Sequence, residues 1–148
     1  MTTVNVYLTF KGNCREAFEF YKQVFNGNFS DVNTFAEMPP QEGMPPFSDE
    51  MKNQIMHICL PISNETMLMG SDAGGEWAPD LKPGNNFSIS VNTDSKEEAL
   101  RIFNGLSKEG QITMPLNETF WGAYFGMLTD QFEINWMVSC ELNSGKDN

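Results

Sequence analysis

His57 is the only histidine in the chain, and it lies in the segment IMHICL, with apolar residues on both sides. An imidazole can act as a general base or bind a ligand at neutral pH, or it can be held in a core by a hydrogen bond to a backbone carbonyl. The sequence leaves these alternatives open. His57 is therefore the one candidate catalytic residue, and it is also predicted to line a binding cavity.

The three cysteines, Cys14, Cys59 and Cys140, are far apart and show no C-x-x-C spacing. This pattern suggests neither a disulfide framework nor a zinc site. A nucleophilic cysteine needs a base to activate it, and His57 is the only histidine that could serve. We therefore predict that each cysteine is a small apolar filler.

The charge of the chain excludes several partners. Nine Lys and Arg residues against twenty Asp and Glu residues give a formal net charge of −11, which repels phosphate backbones and anionic lipids. The sequence has no run of about 18 apolar residues, and its start, MTTVNVYLTF, lacks the features of a signal peptide. We predict a cytoplasmic protein with no nucleic-acid or membrane partner, folded as a single domain over 1–148.

An alternating strand followed by a capped helix opens the first half of the chain. The stretch VNVYLTF, 4–10, has an apolar residue at every second position, which predicts a strand with one buried face. In GNCREAF, Asn13 is predicted to cap a helix, with Glu16 in the capping-box position. Gly27 is predicted to end this helix.

The second half repeats this order. In FSISV, 87–91, apolar residues again alternate with serines, and SKEE predicts a helix that is capped by Ser95 and Glu98 and ended by Gly110. Three further strands are predicted after each helix. They span 29–35, 55–61, 66–70, 111–115, 123–128 and 134–140.

Each half therefore reads β-α-β-β-β, and its helix can cover only one face of its sheet. We predict an α+β protein in which two βαβββ modules form a curved, cup-shaped mixed sheet with the helices outside. The predicted modules are 3–72 and 86–141. A linker, 73–85, joins them, and a polar tail, 142–148, follows.

Two segments outside this plan need a role. Ala36 to Asn53 carries two Pro-Pro pairs, so it is predicted to be an irregular loop that acts as a lid, contacts a partner subunit or is merely solvated. Trp77 in the linker must pack against the linker itself, the cavity mouth or a second chain. Because Trp77, Phe47 and the open strand edges all need cover, we predict a homodimer.

The paired layout and three segments resemble the PhnB-like group of the vicinal oxygen chelate superfamily. The segments are GNCREAFEFYKQVFNG, LMGSD and TMPLNETFWGAYFGMLTDQFEINWMV, and the resemblance covers Val4 to Cys140. It implies the glyoxalase/bleomycin resistance/dioxygenase fold. Proteins of this group are often labelled 3-demethylubiquinone-9 3-methyltransferase-like. A true methyltransferase is not expected, because the strand-to-helix turn KGNC has one glycine and cannot form a glycine-rich donor site.

In metal-dependent members of the superfamily, ligands project into the cup from the first strand of each half and the last strand of the second. The resemblance places Asn5, Asn86 and Met137 at these positions, with Val6 replacing Asn5 if the register shifts by one. Two neutral amides and a thioether provide no anionic ligand and mix hard with soft donors. We therefore predict no metal and no other cofactor. Glu133 stands where the group usually has glycine, so the turn before the last strand could differ.

The predicted cavity joins residues from both halves. It is lined by Asn5, Tyr7, His57, Met69, Asn86, Ser88, Trp121, Tyr124 and Met137. The leading hypothesis is a protein that binds a small molecule in the cup without a bound metal. A second hypothesis is a metal-dependent lyase, isomerase or dioxygenase with ligands from other positions, such as His57 and Glu118. A third is a structural or interaction protein with a vestigial pocket.

Overall fold

The computed structural model describes residues 1–39, 42–43, 45–73 and 80–142. The chain divides into two compact units, Met1–Lys82 and Pro83–Asn148. We call them the N-terminal and C-terminal units and describe each by itself.

The N-terminal unit is a four-stranded mixed sheet with one long helix. Its elements are β1 (Val6–Phe10), α1 (Cys14–Phe25), β2 (Asp31–Thr34), a 3-10 turn (Phe35–Glu37), α2 (Asp49–Lys52), β3 (Ile55–Pro61) and β4 (Met67–Asp72). The strand order is β1-β4-β3-β2. Strand β1 runs parallel to β4, and the other neighbours are antiparallel.

Helix α1 packs on one face of this sheet. A Cβ atom at Gly70 would lie 2.7 Å from the ring of Phe18, so this ring rests directly on the strand backbone. Leu8 and Ile58 flank Gly70 in register and are buried. Side chains alternate along a strand, so the residues directly before and after Leu8, Gly70 and Ile58 in their strands project from the opposite face. That face, away from α1, is the helix-free face of the N-terminal sheet.

The start of α1 is held by a residue from the end of β4. The Asp72 carboxylate is 4% exposed; its Oδ1 accepts hydrogen bonds from the backbone N–H groups of Gly12 (2.8 Å) and Cys14 (3.0 Å). Asn13 occupies the N-cap position, but its side chain forms no capping bond, so that predicted interaction is wrong. A carboxylate there also interacts favourably with the helix dipole.

The C-terminal unit has the same plan. Its elements are β5 (Ile89–Thr93), α3 (Lys96–Ser107), β6 (Gln111–Glu118), β7 (Ala123–Thr129) and β8 (Asn135–Glu141). The strand order is β5-β8-β7-β6, with β5 parallel to β8. Ser95 caps α3 as predicted, since its side chain accepts a hydrogen bond from the Glu98 N–H at 3.1 Å.

Helix α3 packs on its sheet as α1 does. A Cβ atom at Gly126 would lie 2.7 Å from the ring of Phe103, and the neighbouring Val138 and Trp136 are buried on the same face. Burial alternates along β8, because Trp136, Val138 and Cys140 are buried while the residues between them are half-buried. The opposite face, with Met127 and Met137, is the helix-free face of the C-terminal sheet.

After both helices, the residue in the left-handed conformation lies one position before the glycine that was predicted to end the helix. Asn26 (φ 52°) takes the left-handed conformation after α1, and Glu109 (φ 58°) takes it after α3. Gly27 and Gly110, which were predicted to end the helices, follow these residues. Gly110 is needed for a different reason, because a Cβ atom there would collide with the Thr129 carbonyl oxygen.

The predicted α+β class and the βαβββ order of each half are confirmed. The segment Ala36 to Asn53 is not irregular throughout, since helical turns occupy Phe35–Glu37 and Asp49–Lys52. Phe47 packs on Phe35 with ring centroids 5.4 Å apart, which gives it a partner inside its own unit. Trp77 lies outside the described residues. In the described part of the chain no helix is both long and apolar enough to cross a membrane.

Candidate functional site

The helix-free face of the N-terminal sheet carries most of the chemically versatile side chains of that unit. One row across the strands contains Tyr7, Met69, Cys59 and Asp31, which are paired in register from β1 to β2. His57 and Asn33 are paired in the next row. We call Tyr7, Asp31, Asn33, His57 and Met69 the N-terminal polar cluster. It combines an imidazole, a phenol, a carboxylate and an amide on one surface.

Tyr7 and His57 form a stacked pair at the centre of this cluster. Their ring centroids are 6.0 Å apart and their planes are inclined by 27°. Tyr7 remains 48% exposed, and the His57 side chain remains 33% exposed. His57 is therefore on the open surface of the sheet, where its ring can contact a ligand. The pair presents an apolar ring surface with polar groups at its edge.

A carboxylate lies next to the imidazole. The His57 Nε2 atom is 3.8 Å from Asp31 Oδ2, and Asp31 Oδ1 accepts a hydrogen bond from Asn33 Nδ2 at 2.9 Å. Asn33 therefore holds the carboxylate in place beside the ring. A carboxylate in this position can accept hydrogen bonds from a bound molecule. The arrangement can bind a polar group and can also accept a proton.

Sequence reasoning missed Asp31 and Asn33. The signal is present in DVNT, 31–34, where polar residues alternate with Val32 along a predicted strand. However, alternation does not show which strand is the neighbour. Only the pairing of β2 with β3 places Asn33 opposite His57 and Asp31 opposite Cys59.

The predicted cavity residues of the C-terminal unit do not form a comparable cluster. Asn86 and Ser88 precede β5 and are exposed and half-buried, respectively. Met137 lies on the helix-free face of its sheet, in register with Ser90 and Met127. In the N-terminal unit, Asn5 is half-buried and directly precedes β1.

Trp121 belongs to an aromatic group at the β6–β7 hairpin. Its ring contacts Phe120 (centroids 5.0 Å apart) and Phe125 (6.1 Å), and Trp121 itself is 58% exposed. Phe125 is in register with Ser139, on the helix-free face. Trp121 thus lies at the end of that face rather than in a polar site.

Tyr124 is not on the helix-free face, contrary to prediction. It is in register with Cys140, and Lys96 of α3 lies over its ring with Nζ 4.8 Å from the centroid. The prediction failed because strand alternation fixes which residues share a face but not which of the two faces they occupy. Glu118 lies on the same side, where its carboxylate binds Lys96 at 3.1 Å.

The superfamily metal does not fit the residues present. Asn5, Asn86 and Met137 supply two neutral amide groups and a thioether, which are poor ligands for a hard or borderline divalent ion. Among the described residues no three His, Cys, Asp or Glu side chains gather as a metal-binding group. Glu118, the alternative ligand, is already paired with Lys96.

All three cysteines are buried and free, as predicted for apolar fillers. Burial raises the pKa of the Cys14 thiol well above its usual range, and the nearby Asp72 carboxylate raises it further. Cys14 is therefore a neutral thiol at physiological pH and is not a nucleophile. Cys59 differs from the other two because its sulfur contacts a second sulfur, Met67 Sδ, at 3.6 Å.

Comparison with known proteins places this architecture in a family. The chain is 31% identical to protein YjdN of Escherichia coli (strain K12) over 139 residues, which covers 90% of this chain and 91% of that protein. The crystal structure of protein PA1353 from Pseudomonas aeruginosa superposes with a TM-score of 0.82 at 40% identity, covering 95% and 98% of the two chains.

A more distant structure confirms the fold. It is a glyoxylase/bleomycin resistance protein/dioxygenase domain from Frankia sp. EAN1pec, with a TM-score of 0.63 at 10% identity over 95% of this chain and 98% of that one. The profile of the family described as 3-demethylubiquinone-9 3-methyltransferase matches residues 2–139. Since this match spans nearly the whole sequence, the chain belongs to the 3-demethylubiquinone-9 3-methyltransferase family.

Proposed function

We propose that this protein binds a small organic molecule on the helix-free face of the N-terminal sheet and that binding needs no divalent metal. The observation that carries the proposal is the stacked, partly exposed pair of Tyr7 and His57 beside the Asp31 carboxylate. A sheet face that served only as packing surface would not expose an aromatic pair with a fixed carboxylate at its edge.

The side chains of the N-terminal polar cluster indicate the shape and charge of the ligand that would bind there. Two stacked rings favour a planar, unsaturated or aromatic molecule. Asp31 accepts hydrogen bonds and carries negative charge, so the molecule is neutral or cationic at that edge and presents a hydrogen-bond donor. Met69 lies next to Tyr7 in register and adds an adaptable apolar contact.

Methyl transfer is not part of the proposal, although the family carries that description. The turn from β1 into α1 is where a glycine-rich loop would hold a donor. Here Asp72 Oδ1 binds the backbone N–H groups of Gly12 and Cys14 at 2.8 and 3.0 Å. The protein's own carboxylate fills the anion-binding position of that turn.

The test is a thermal-shift screen with planar heteroaromatic compounds of positive, neutral and negative charge. A compound present at about 100 times its Kd stabilises the native state by about 2.7 kcal/mol, so the melting temperature rises by several degrees. We expect Tyr7→Ala and His57→Gln to remove most of this shift and Asp31→Asn to reduce it. Tyr124→Ala, on the opposite face of the other sheet, is the matched control and keeps the shift.

Three results would contradict the proposal. If Tyr7→Ala and His57→Gln respond to the compounds as the unsubstituted protein does, the binding site is elsewhere. If no compound raises the melting temperature, the third hypothesis, an interaction protein with a vestigial pocket, is the better one. Elemental analysis that finds stoichiometric zinc, manganese, iron or magnesium would instead favour the metal-dependent enzyme.

We also propose that the protein is a homodimer, as the sequence predicts, and the C-terminal unit supports this. Phe120 (97% exposed) and Trp121 (58%) project at the β6–β7 hairpin. Edge strand β6 adds exposed Ile112 and Met114. Exposed apolar side chains on an open edge favour association.

Light scattering should give twice the chain mass of 16.7 kDa, and the double variant Phe120→Ser, Trp121→Ser should lower the measured mass. A mass of one chain for the unsubstituted protein would contradict the dimer.

The cytoplasmic location of the protein stays a prediction.

A further inference from the structure

Three sulfur-containing side chains, Cys59, Met67 and Met69, lie on the helix-free face of the N-terminal sheet. Cys59 Sγ lies 3.6 Å from Met67 Sδ, and Met69 is the direct cross-strand neighbour of Cys59. All three residues project from the same face, since Met67 and Met69 are two residues apart on β4. The Cys59 thiol is thus in contact with one thioether, and a second thioether belongs to its direct cross-strand neighbour.

The separation of the first two sulfurs is informative. Two sulfur ligands bound to one tetrahedral metal ion at about 2.3 Å lie about 3.7 Å from each other. The contact between Cys59 and Met67 has nearly this length. The thiol donates a weak hydrogen bond to the thioether, and little movement is needed for an ion to replace its proton.

The donor set selects a particular class of ion. Thiolate and thioether ligands are soft and prefer Cu(I) over magnesium, calcium or manganese. The position of the superfamily metal has a different donor set, because two amides accompany a single thioether there. It also explains why the described residues contain no group of three His, Cys, Asp or Glu ligands at this place, since two of the donors are methionines.

The three residues differ in exposure, so a metal ion could reach the buried thiol from the side of the methionines. Cys59 is 6% exposed, whereas Met67 is 37% exposed and Met69 is half-buried. An ion can therefore reach the thiol along the mobile methionine side chains, which are flexible and polarizable. We propose that Cys59, Met67 and Met69 bind a soft monovalent metal ion of the Cu(I) class, with loss of the thiol proton to solvent.

The test is anaerobic competition for Cu(I) with a chromophoric chelator, repeated with Ag(I) as a redox-inert probe. One equivalent of Cu(I) should bind, and Cys59→Ser should weaken binding at least about 100-fold, more than the loss of an outer-sphere partner usually does. The double variant Met67→Leu, Met69→Leu keeps the side-chain volumes and should weaken binding about 10-fold or more. X-ray absorption should show sulfur neighbours at about 2.3 Å from the metal.

The controls lie in the C-terminal unit. Cys140→Ser removes a buried thiol that bonds only weakly to a backbone carbonyl, and Met137→Leu removes a thioether on the other sheet. Both should leave the affinity for Cu(I) within twofold of the unsubstituted protein. The site is refuted if the unsubstituted protein fails to hold Cu(I), or if the folded double Met→Leu variant binds it equally well. The methionine variants keep the test decisive even if Cys59→Ser does not fold.

Discussion

Replacing Asp72 with alanine is expected to lower the free energy of unfolding by about 4 kcal/mol, because three backbone N–H groups would lose a charged acceptor inside the protein. These groups belong to Gly12, Cys14 and Ile55, at 2.8, 3.0 and 2.9 Å from the carboxylate. The change would remove the hydrogen bonds that join the start of α1 and the start of β3 to the end of β4. Urea denaturation of the purified variant measures the loss.

Two further variants, one conservative and one at an exposed position, serve as comparisons for Asp72→Ala. Asp72→Asn keeps one carbonyl oxygen and should lose about half as much stability, since an amide N–H₂ then faces a backbone donor. Asp80→Ala changes an exposed aspartate of the same unit and should alter stability by no more than about 0.5 kcal/mol. If Asp72→Ala costs less than about 1 kcal/mol, the carboxylate does not hold the helix start.

The second large effect is expected at Asp130, in the turn before β8. Asp130→Ala should lower the free energy of unfolding by about 3 kcal/mol, because several buried donors lose their acceptor. Asp130 is 3% exposed. Its Oδ1 accepts from the N–H groups of Phe132 (2.7 Å) and Ile134 (3.1 Å), and its Oδ2 from Trp136 Nε1 (2.8 Å).

A double-mutant cycle isolates the bond to the indole. Trp136→Phe keeps an aromatic ring in the core and removes the N–H donor, so its effect should not add to that of Asp130→Ala. We expect a coupling energy above about 1 kcal/mol by chemical denaturation. Glu133→Gln, an exposed change in the same turn, is the control and should be nearly neutral. Additive effects would mean that the hydrogen bond does not stabilise the turn.

The sequence predicted the parts of this fold that depend on local pattern. Alternation in 4–10 predicted a strand with one buried face, which Leu8 and Phe10 form in β1, and Ser95 was recognised as a helix cap. These features depend on residues within one or two turns of each other. The resemblance also predicted the correct family and fold.

Long-range contacts account for what was missed. The cap of α1 comes from Asp72, 58 residues beyond Cys14, and no local motif reveals it. Glu133 adopts φ 69° where related sequences were expected to have glycine, so the turn keeps a glycine-like backbone despite the substitution. The register of β8 on the helix-free face was unaffected, because the Asp130 carboxylate fixes the turn.

In the candidate site, too, single residues could be predicted from the sequence but their long-range pairing could not. Tyr7, His57 and Met69 were predicted individually as cavity residues, and the parallel pairing of β1 with β4 is what places Tyr7 beside Met69. Asp31 and Asn33 join them only through the pairing of β2 with β3. Tyr124 was assigned to the wrong face because alternation shows which residues of β7 share a face but not which face is covered by α3.

The most direct test of the proposed function is an NMR titration of ¹⁵N-labelled protein with the compound that most raises its melting temperature. The account predicts that the largest amide shifts occur in β1, β3 and β4, at and around Tyr7, His57 and Met69. The same shifts should persist in excess EDTA, because no divalent metal takes part. Shifts confined to β5 through β8, or shifts that disappear when EDTA is added, would contradict the account.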